Sequence, residues 1–351
     1  MTLDESFDPR RNSLNAFRLG LAALVVVSHS WLLSGSGAQP ELGGLALGSW
    51  AVIGFFGLSG FLITRSRLSS ASATVYYRNR VLRILPAFIV CILVVAFVLA
   101  PASVLLGTGA SYSATSALTY VLTNLPLSLQ FVAQKGIENT LVGLPVTGYW
   151  NGPLWTLFWE ACCYVIVGVL VSVLHHRWLP GVVGALFGIS TVVVALTTAG
   201  VLHLDAGWTP VAPLFVAFFA GSLAYLLRHR LDVSWPTILA CLLVMAAATV
   251  VGHAAAFIAL PVLLLMIRLS NALPLQRVGR RYDLSYGIYI YGWPVQQLIA
   301  LVTFGTGLHV GWFVLLSLSF TVPLAMASSA LVERPALRLK AKSPAPRVAA
   351  L

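Results

Sequence analysis

Apolar residues run in long blocks along this chain, and most polar positions collect in short stretches between them. A helix needs about 20 mainly apolar residues to cross a bilayer. On that measure ten segments read as transmembrane helices: 14–33, 46–64, 84–106, 152–174, 181–201, 208–227, 235–251, 253–268, 284–303 and 308–332. The pair 235–251 and 253–268 is the weakest, because each is short and only Gly252 and His253 separate them. The predicted fold class is all-α, a polytopic membrane protein of about ten transmembrane helices. Residues 1–13 form a leader, 14–338 the transmembrane domain, and 339–351 a basic tail. No direct or inverted repeat of the kind many transporters carry stands out.

Composition agrees with that pattern. Of 351 residues, 59% are hydrophobic and only 9% charged, against about one-quarter charged in an average soluble domain. This excludes an ordinary cytosolic enzyme, a nucleic-acid-binding domain and a disordered chain. The net charge of +11 sits in clusters between apolar blocks, where it sets membrane orientation instead of marking a nucleic-acid partner. With the N-terminus in the cytoplasm, 20 of the 21 Lys and Arg residues fall on the inner side, and only Lys135 lies outside. That asymmetry predicts a multipass protein of the plasma (inner) membrane with both termini cytoplasmic.

The one long connection, 107–151, is expected on the outer side, with Ala117 to Val132 apolar enough to lie along the interface or re-enter the membrane. The first apolar segment reads as a retained span. Its leader carries Asp4, Glu5 and Asp8 beside Arg10 and Arg11, and the segment itself holds His29, neither of which suits a cleaved signal peptide. Cys91, Cys162, Cys163 and Cys241 all fall in apolar runs without disulfide or zinc spacing and read as packing residues. No metal site is predicted.

Ionisable residues inside a bilayer are costly and mark function by default. Two lie deep here, His29 and Glu160. Arg18 precedes His29 by eleven residues, close to three helical turns, so both project from one face about 16 Å apart. Arg18 is either a snorkelling anchor or a ligand for an anion at the inner mouth. His29 is either a catalytic imidazole or a buried histidine bonded to backbone. Glu160, about 13 Å along its span from Asn151, is expected at the depth of His29. The two then pair, with the carboxylate orienting the ring; the alternative is a structural ion pair with an arginine. Gly57, Ser59 and Gly60 in the second span permit close helix approach or a local break. Arg80 and Arg83, on the inner loop with no acid nearby in sequence, face either a phosphate-bearing ligand or lipid headgroups. His203, Asp205, His253 and His309 sit in outer connections, where they either bind a ligand from the outer side or, as loop residues usually are, are simply solvated.

Six motifs taken in order resemble the acyltransferase-3 family of bacterial membrane O-acyltransferases. They are Leu14-Asn15-Ala16-Phe17-Arg18 through His29, Phe56-Gly57-Leu58-Ser59-Gly60-Phe61-Leu62, and Arg80-Val81-Leu82-Arg83 with Pro86 behind it. Then come Gly152-Pro153-Leu154-Trp155-Thr156-Leu157-Phe158-Trp159-Glu160, Ser285-Tyr286-Gly287-Ile288-Tyr289 with Trp293-Pro294, and Val332-Glu333-Arg334-Pro335. The resemblance implies transfer of an acyl group, usually acetyl, from cytoplasmic acyl-CoA to a hydroxyl of a carbohydrate or glycan-type acceptor. It implies His29 and Glu160 as catalytic residues and Arg18, Arg80 and Arg83 as the acyl-CoA site. It also implies the form without a fused extracytoplasmic domain. Ser59, Trp155 and Tyr289 are the expected lining residues. Asn15 stands where many members have Asp, and Gly292 where many have His, a change expected to touch the acceptor site or a secondary polar contact.

Two other classes stay open on the sequence alone. A proton-coupled exporter or flippase of a glycan or lipid precursor would use His29 and Glu160 as a relay; substrate accumulation without acyl consumption would identify it. A non-catalytic sensor would leave the buried polar pair without a purpose.

Overall fold

The computed structural model, described for residues 1–9, 11–106, 110–280 and 282–340, is helical in all ten apolar segments. A short α1 (Leu3–Ser6) precedes α2 (Leu14–Leu33). A two-residue hairpin, β1 (Glu41–Leu42) and β2 (Leu45–Ala46), leads into α3 (Leu47–Leu68) and α4 (Ala73–Val94). A π-helical turn at Val95–Leu99 joins α4 to α5 (Ala100–Leu106), and α6 (Ala114–Asn124) lies within the long connection. Then follow α7 (Trp155–Val173), α8 (Leu179–Thr198), α9 (Ala212–Leu226), α10 (Trp235–Val250), α11 (Ala254–Phe257) and α12 (Ala259–Ala272). The chain ends with α13 (Ser285–Thr303), α14 (Val310–Ser328), a second π-helical turn at Ser329–Glu333 and α15 (Arg334–Arg338). Arg10, Arg281, Lys342, Arg347 and nearly all of the expected basic tail lie outside the described residues.

Among the described residues six helical stretches are long and apolar enough to cross a membrane: Leu14–Leu33, Leu47–Leu68, Ala73–Leu106, Gly152–Val173, Leu179–Thr198 and Val310–Arg338. The helices α9, α10 and α12 are apolar but shorter. Gly252, at φ +79°, turns the chain between the segments 235–251 and 253–268. α13 carries two glutamines and three tyrosines, yet most of its residues are buried, between α2 and α14. Protein surrounds it, and the side-chain amides of its glutamines donate into the neighbouring backbone and hydroxyls. Gln296 donates to the Val26 carbonyl and the Ser30 hydroxyl at 2.9 Å each, and Gln297 donates to the Val146 and Tyr149 carbonyls.

The second-span glycines serve close packing, and α3 is unbroken. A Cβ on Gly60 would overlap the Phe218 carbonyl of α9, and one on Gly221 would overlap the Gly57 carbonyl. The α3–α9 contact is therefore a backbone-to-backbone seam between small residues. Arg78, Arg80 and Arg83 do not lie on a loop. Ser72 caps α4 through the Val75 amide, so the helix begins well before residue 84 and carries all three arginines on its first turns.

The connection after α5 is folded. α6 buries Ala117, Tyr120, Val121 and Asn124, a helical stripe, and leaves Leu118 and Leu122 exposed. Trp150 is fully buried and donates to the Thr140 hydroxyl at 2.8 Å. The leader is docked as well. Thr2 and Glu5 form a capping box, Asp4 pairs with Arg228 at 2.9 Å, and Leu3 enters a cluster with Leu58, Phe61, Val233 and Ile267.

Candidate active site

Two cavities open toward opposite ends of the bundle. The larger, 1110 Å³, lies beneath the hairpin and the folded connection. The smaller, 150 Å³, lies at the end that carries Arg18, Arg80 and Arg83. Val52, Thr156 and Tyr289 line both, so a thin partition separates them. The Thr156 and Tyr289 hydroxyls lie 2.5 Å apart and 3.0 and 3.2 Å from the Pro153 carbonyl, so one donates to that carbonyl and the other to its neighbour. Phe55 packs edge-on against the Tyr289 ring.

His29 faces the large cavity from α2, half-buried. Trp293 of α13 stands edge-on to its ring with centroids 4.8 Å apart, and Nδ1 lies 3.2 Å from Gln39 Oε1. The rest of the lining mixes aromatic rings and amides. Trp155, Tyr149 and Trp293 stand alongside Gln130, Gln134 and Asn151, with Glu41 and Lys135 at the hairpin and the folded connection. His253 bonds Thr198 and His309 caps α14.

Glu160 lines the small cavity instead. One of its carboxylate oxygens accepts from the Ser59 hydroxyl and, at 2.6 Å, from the Tyr164 hydroxyl one turn along α7. The expected His29–Glu160 pair is not formed, and the reason is where α7 starts. Asn151 is already sunk into the bundle, donating to the Ile290 carbonyl of α13 at 2.7 Å. Residues 152–154 then make one 3₁₀ turn below the folded connection, with Gly152 against the Trp293 ring. Two turns further, Glu160 has passed the Thr156–Tyr289 partition and reached the arginine end.

The arginines are less alike than their spacing suggested. Asp283, just before α13, accepts from Arg18 at 2.6 Å and from Arg83 at 2.5 Å, and Glu333 stands 3.9 Å from Arg83. The expectation that no acid lies near the basic pair therefore fails in three dimensions. Burial pushes the Asp283 carboxyl up, but the two guanidinium groups more than offset this and hold it well below the usual carboxylate range. Arg80 bonds the Ser66 hydroxyl at 3.5 Å, and its buried Nε has no hydrogen-bond partner among the described residues. Lys340 approaches the same end. Burial, then Arg80 and Arg83, bring its pKa down to about 8. Of the expected lining residues, Ser59 borders the small cavity, Trp155 the large one and Tyr289 both. Gly292 touches neither; a Cβ there would meet Val26 of α2, so its role is close helix packing.

A bundle with a histidine-bearing chamber on one side of a hydroxyl partition and an arginine-lined slot on the other matches a known sequence profile, described as an acyltransferase domain, over residues 11–330. The chain belongs to the acyltransferase-3 family. It is therefore an acyltransferase, and with its long apolar helices a multipass membrane protein. An O-acetyl transferase of Shigella phage Sf6 is 31% identical over 340 residues, covering 93% of this chain and 96% of the relative. Nodulation protein 10 of Rhizobium leguminosarum bv. viciae is 30% identical over 366 residues, 96% of each. No solved structure matches.

The acyltransferase-3 motifs thus divide between the two cavities. Arg18, Ser59, Arg80, Arg83 and Glu160 belong to the slot, while His29, Trp155 and Trp293 belong to the chamber. The terminal Glu333, turned inward by its π-helical turn, reaches back to Arg83. Gln39 and Asp283 escaped the sequence reading. Gln39 lies in a short polar connection, and the ion pairs of Asp283 span 265 and 200 residues. The hairpin had a local signal, the Gly43-Gly44 pair between Leu42 and Leu45.

Proposed function

We propose that this acyltransferase moves an acetyl group from cytoplasmic acyl-CoA to a hydroxyl of a carbohydrate or glycan-type acceptor. The single observation that carries the reading is the pair of cavities meeting at Val52, Thr156 and Tyr289, with the arginines on one side and His29 on the other. A donor with an anionic head and a long narrow arm fits the slot. An acceptor bearing hydroxyls fits a chamber lined with aromatic faces and side-chain amides.

In this reading Arg80, which lines the slot without the Asp283 contact that Arg18 and Arg83 share, takes a phosphate of the donor, and Arg18 and Arg83 add charge while Asp283 fixes their positions. The thioester end passes the partition and reaches His29. There the imidazole removes the proton of the acceptor hydroxyl as its oxygen attacks the thioester carbonyl. The C–S bond breaks, and the departing thiolate takes the proton back from the imidazolium. General-base catalysis of this kind contributes about 10²–10⁴-fold. Glu160 acts on the donor side, where its carboxylate accepts amide N–H groups of the arm.

The basic end faces the cytoplasm on this account, because Lys and Arg are retained on the inner side of the inner membrane. Ten membrane passages then leave both termini inside and the folded connection outside.

The test is thiol release from acetyl-CoA by the full chain in nanodiscs, with membrane vesicles of the expressing cell supplying glycans. His29→Ala is expected to lose about 10²-fold or more in rate while still binding acetyl-CoA. A His29→Ala protein with the wild-type rate would sink the reading. Uptake of glycan precursor without thiol release would replace the enzyme by a carrier.

A further inference from the structure

His29 has two ring nitrogens, and only one can serve as a base. A neutral imidazole carries its proton on the other. The carboxylate expected to fix that choice lies beyond the partition, which leaves the task to another group. Gln39 is in place to do it. Its Oε1 lies 3.2 Å from His29 Nδ1 and accepts from the Ser28 hydroxyl at 2.8 Å. Ser28 is fully buried, so its O–H must find an acceptor within the protein. Two donors converge on one amide oxygen, and the nitrogen facing that oxygen is the one that carries hydrogen.

The fold builds this contact deliberately. Gly35 and Gly37, at φ +77° and +126°, bend the chain back after α2, and Gly43 and Gly44, at +63° and +74°, close the hairpin. The Leu47 amide bonds the Pro40 carbonyl at 2.9 Å and so anchors the residue next to Gln39 at the start of α3. At Gly48 a Cβ would stand 3.2 Å from Ser28 Oγ, so the glycine leaves room for the hydroxyl that donates to Gln39.

We propose that Gln39 is the positioning residue of the acyl transfer, its side-chain carbonyl holding His29 as the tautomer protonated at Nδ1 and so presenting the Nε2 lone pair to the acceptor hydroxyl. The inference rests on His29 being the base. Gln39 forms no bond to the reacting atoms; it acts through the ring.

Two measurements on the full chain in nanodiscs test it. The first is ¹⁵N spectroscopy of histidine-labelled protein near neutral pH, with His29→Ala identifying the resonance. Wild type should show a protonated Nδ1 and a bare Nε2. Gln39→Leu should lose that preference, and Gln39→Glu, which can only accept, should keep it. The second is thiol release from acetyl-CoA with the same vesicles. Gln39→Leu should lose roughly 10-fold or more in kcat with KM for acetyl-CoA unchanged within about twofold. Gln39→Glu should recover most of the rate, with the acid limb of the pH profile moved to higher pH, because a carboxylate beside the ring favours its charged form. The other ionisable groups facing this chamber are Glu41 on the hairpin, Lys135 and Tyr149 on the folded connection, Tyr120 on α6 and Tyr289 on α13, all unaltered in these variants. A wild-type His29 protonated at Nε2 would overturn the inference. So would a Gln39→Leu protein of equal thermal stability with wild-type tautomer and rate. A His29→Ala protein with full rate overturns the base and its positioning together, whereas a dead His29→Ala beside an unaffected Gln39→Leu overturns the role of Gln39 alone.

Discussion

Asp283 shows how a single residue changes the meaning of a motif. Arg18 lies ten residues from the nearest acid in sequence and Arg83 forty-two, yet one carboxylate bonds both. These side chains are only about a fifth exposed, so removing the carboxylate leaves like charges facing each other with little solvent between them. Asp283→Asn is expected to cost about 3 kcal/mol, the low end for breaking a buried pair, measured as a lower unfolding temperature in detergent. The sign with pH follows from the depressed carboxyl. Its contribution is fully present above the unfolded value near 4 and is lost only as pH falls through the lower folded value. The wild-type advantage over Asp283→Asn should therefore persist down to about pH 4 and shrink below it. An advantage that disappears near neutrality would show that the carboxylate is not held in its charged form.

Among the elements, the seam between α3 and α9 sets the geometry of the slot, because α3 carries Ser59 to Glu160 on one face and meets α9 on another. A methyl group at position 60 must push the Phe218 carbonyl away. Gly60→Ala is expected to destabilise the bundle by about 1–3 kcal/mol, as overpacking does, whereas Gly181→Ala, with open space around its Cβ, should be neutral or slightly stabilising. Equal unfolding temperatures for the two variants would refute the seam. Helix boundaries matter as much as helix contacts. The early start of α4 puts Arg80 and Arg83 on a rigid element, and the late, deep start of α7 carries Glu160 past His29. Neither start is written in hydropathy, since the arginine turns of α4 are polar and the descent to Asn151 depends on a bond to α13.

For the whole molecule, the chain returns at residue 340 to the end from which α2 and α4 depart. Lys340, its pKa brought down to about 8, adds a charge that an anionic donor would restore. A bound polyphosphate favours the protonated lysine, so donor affinity is highest below about pH 8 and falls as pH rises through that value. Binding of CoA, followed by thermal shift or calorimetry, should weaken over about pH 7 to 9. Lys340→Gln should bind more weakly throughout and with a flatter profile. Affinity that does not change across that range in wild type would rule out a role for Lys340 in the donor site.

The sequence by itself determined the class of this protein and singled out its candidate site residues. Long apolar blocks can satisfy their backbone only as helices, and the scarcity of charge makes His29, Glu160, Arg18, Arg80 and Arg83 stand out against it. Periodicity along one helix also put Arg18 and His29 on a common line. What periodicity cannot supply is the depth of one helix against another, because that depends on caps, turns and the space left by particular glycines. Only the tertiary structure decided that His29 takes Gln39 and not Glu160, that Asp283 ties Arg18 to Arg83, and that Tyr289 and Thr156 stand between two cavities. The Asp283 and Thr156–Tyr289 contacts join residues more than a hundred positions apart, so no local stretch of sequence carries their signal, while the His29–Gln39 contact depends on how the connection after α2 folds back onto the start of α3.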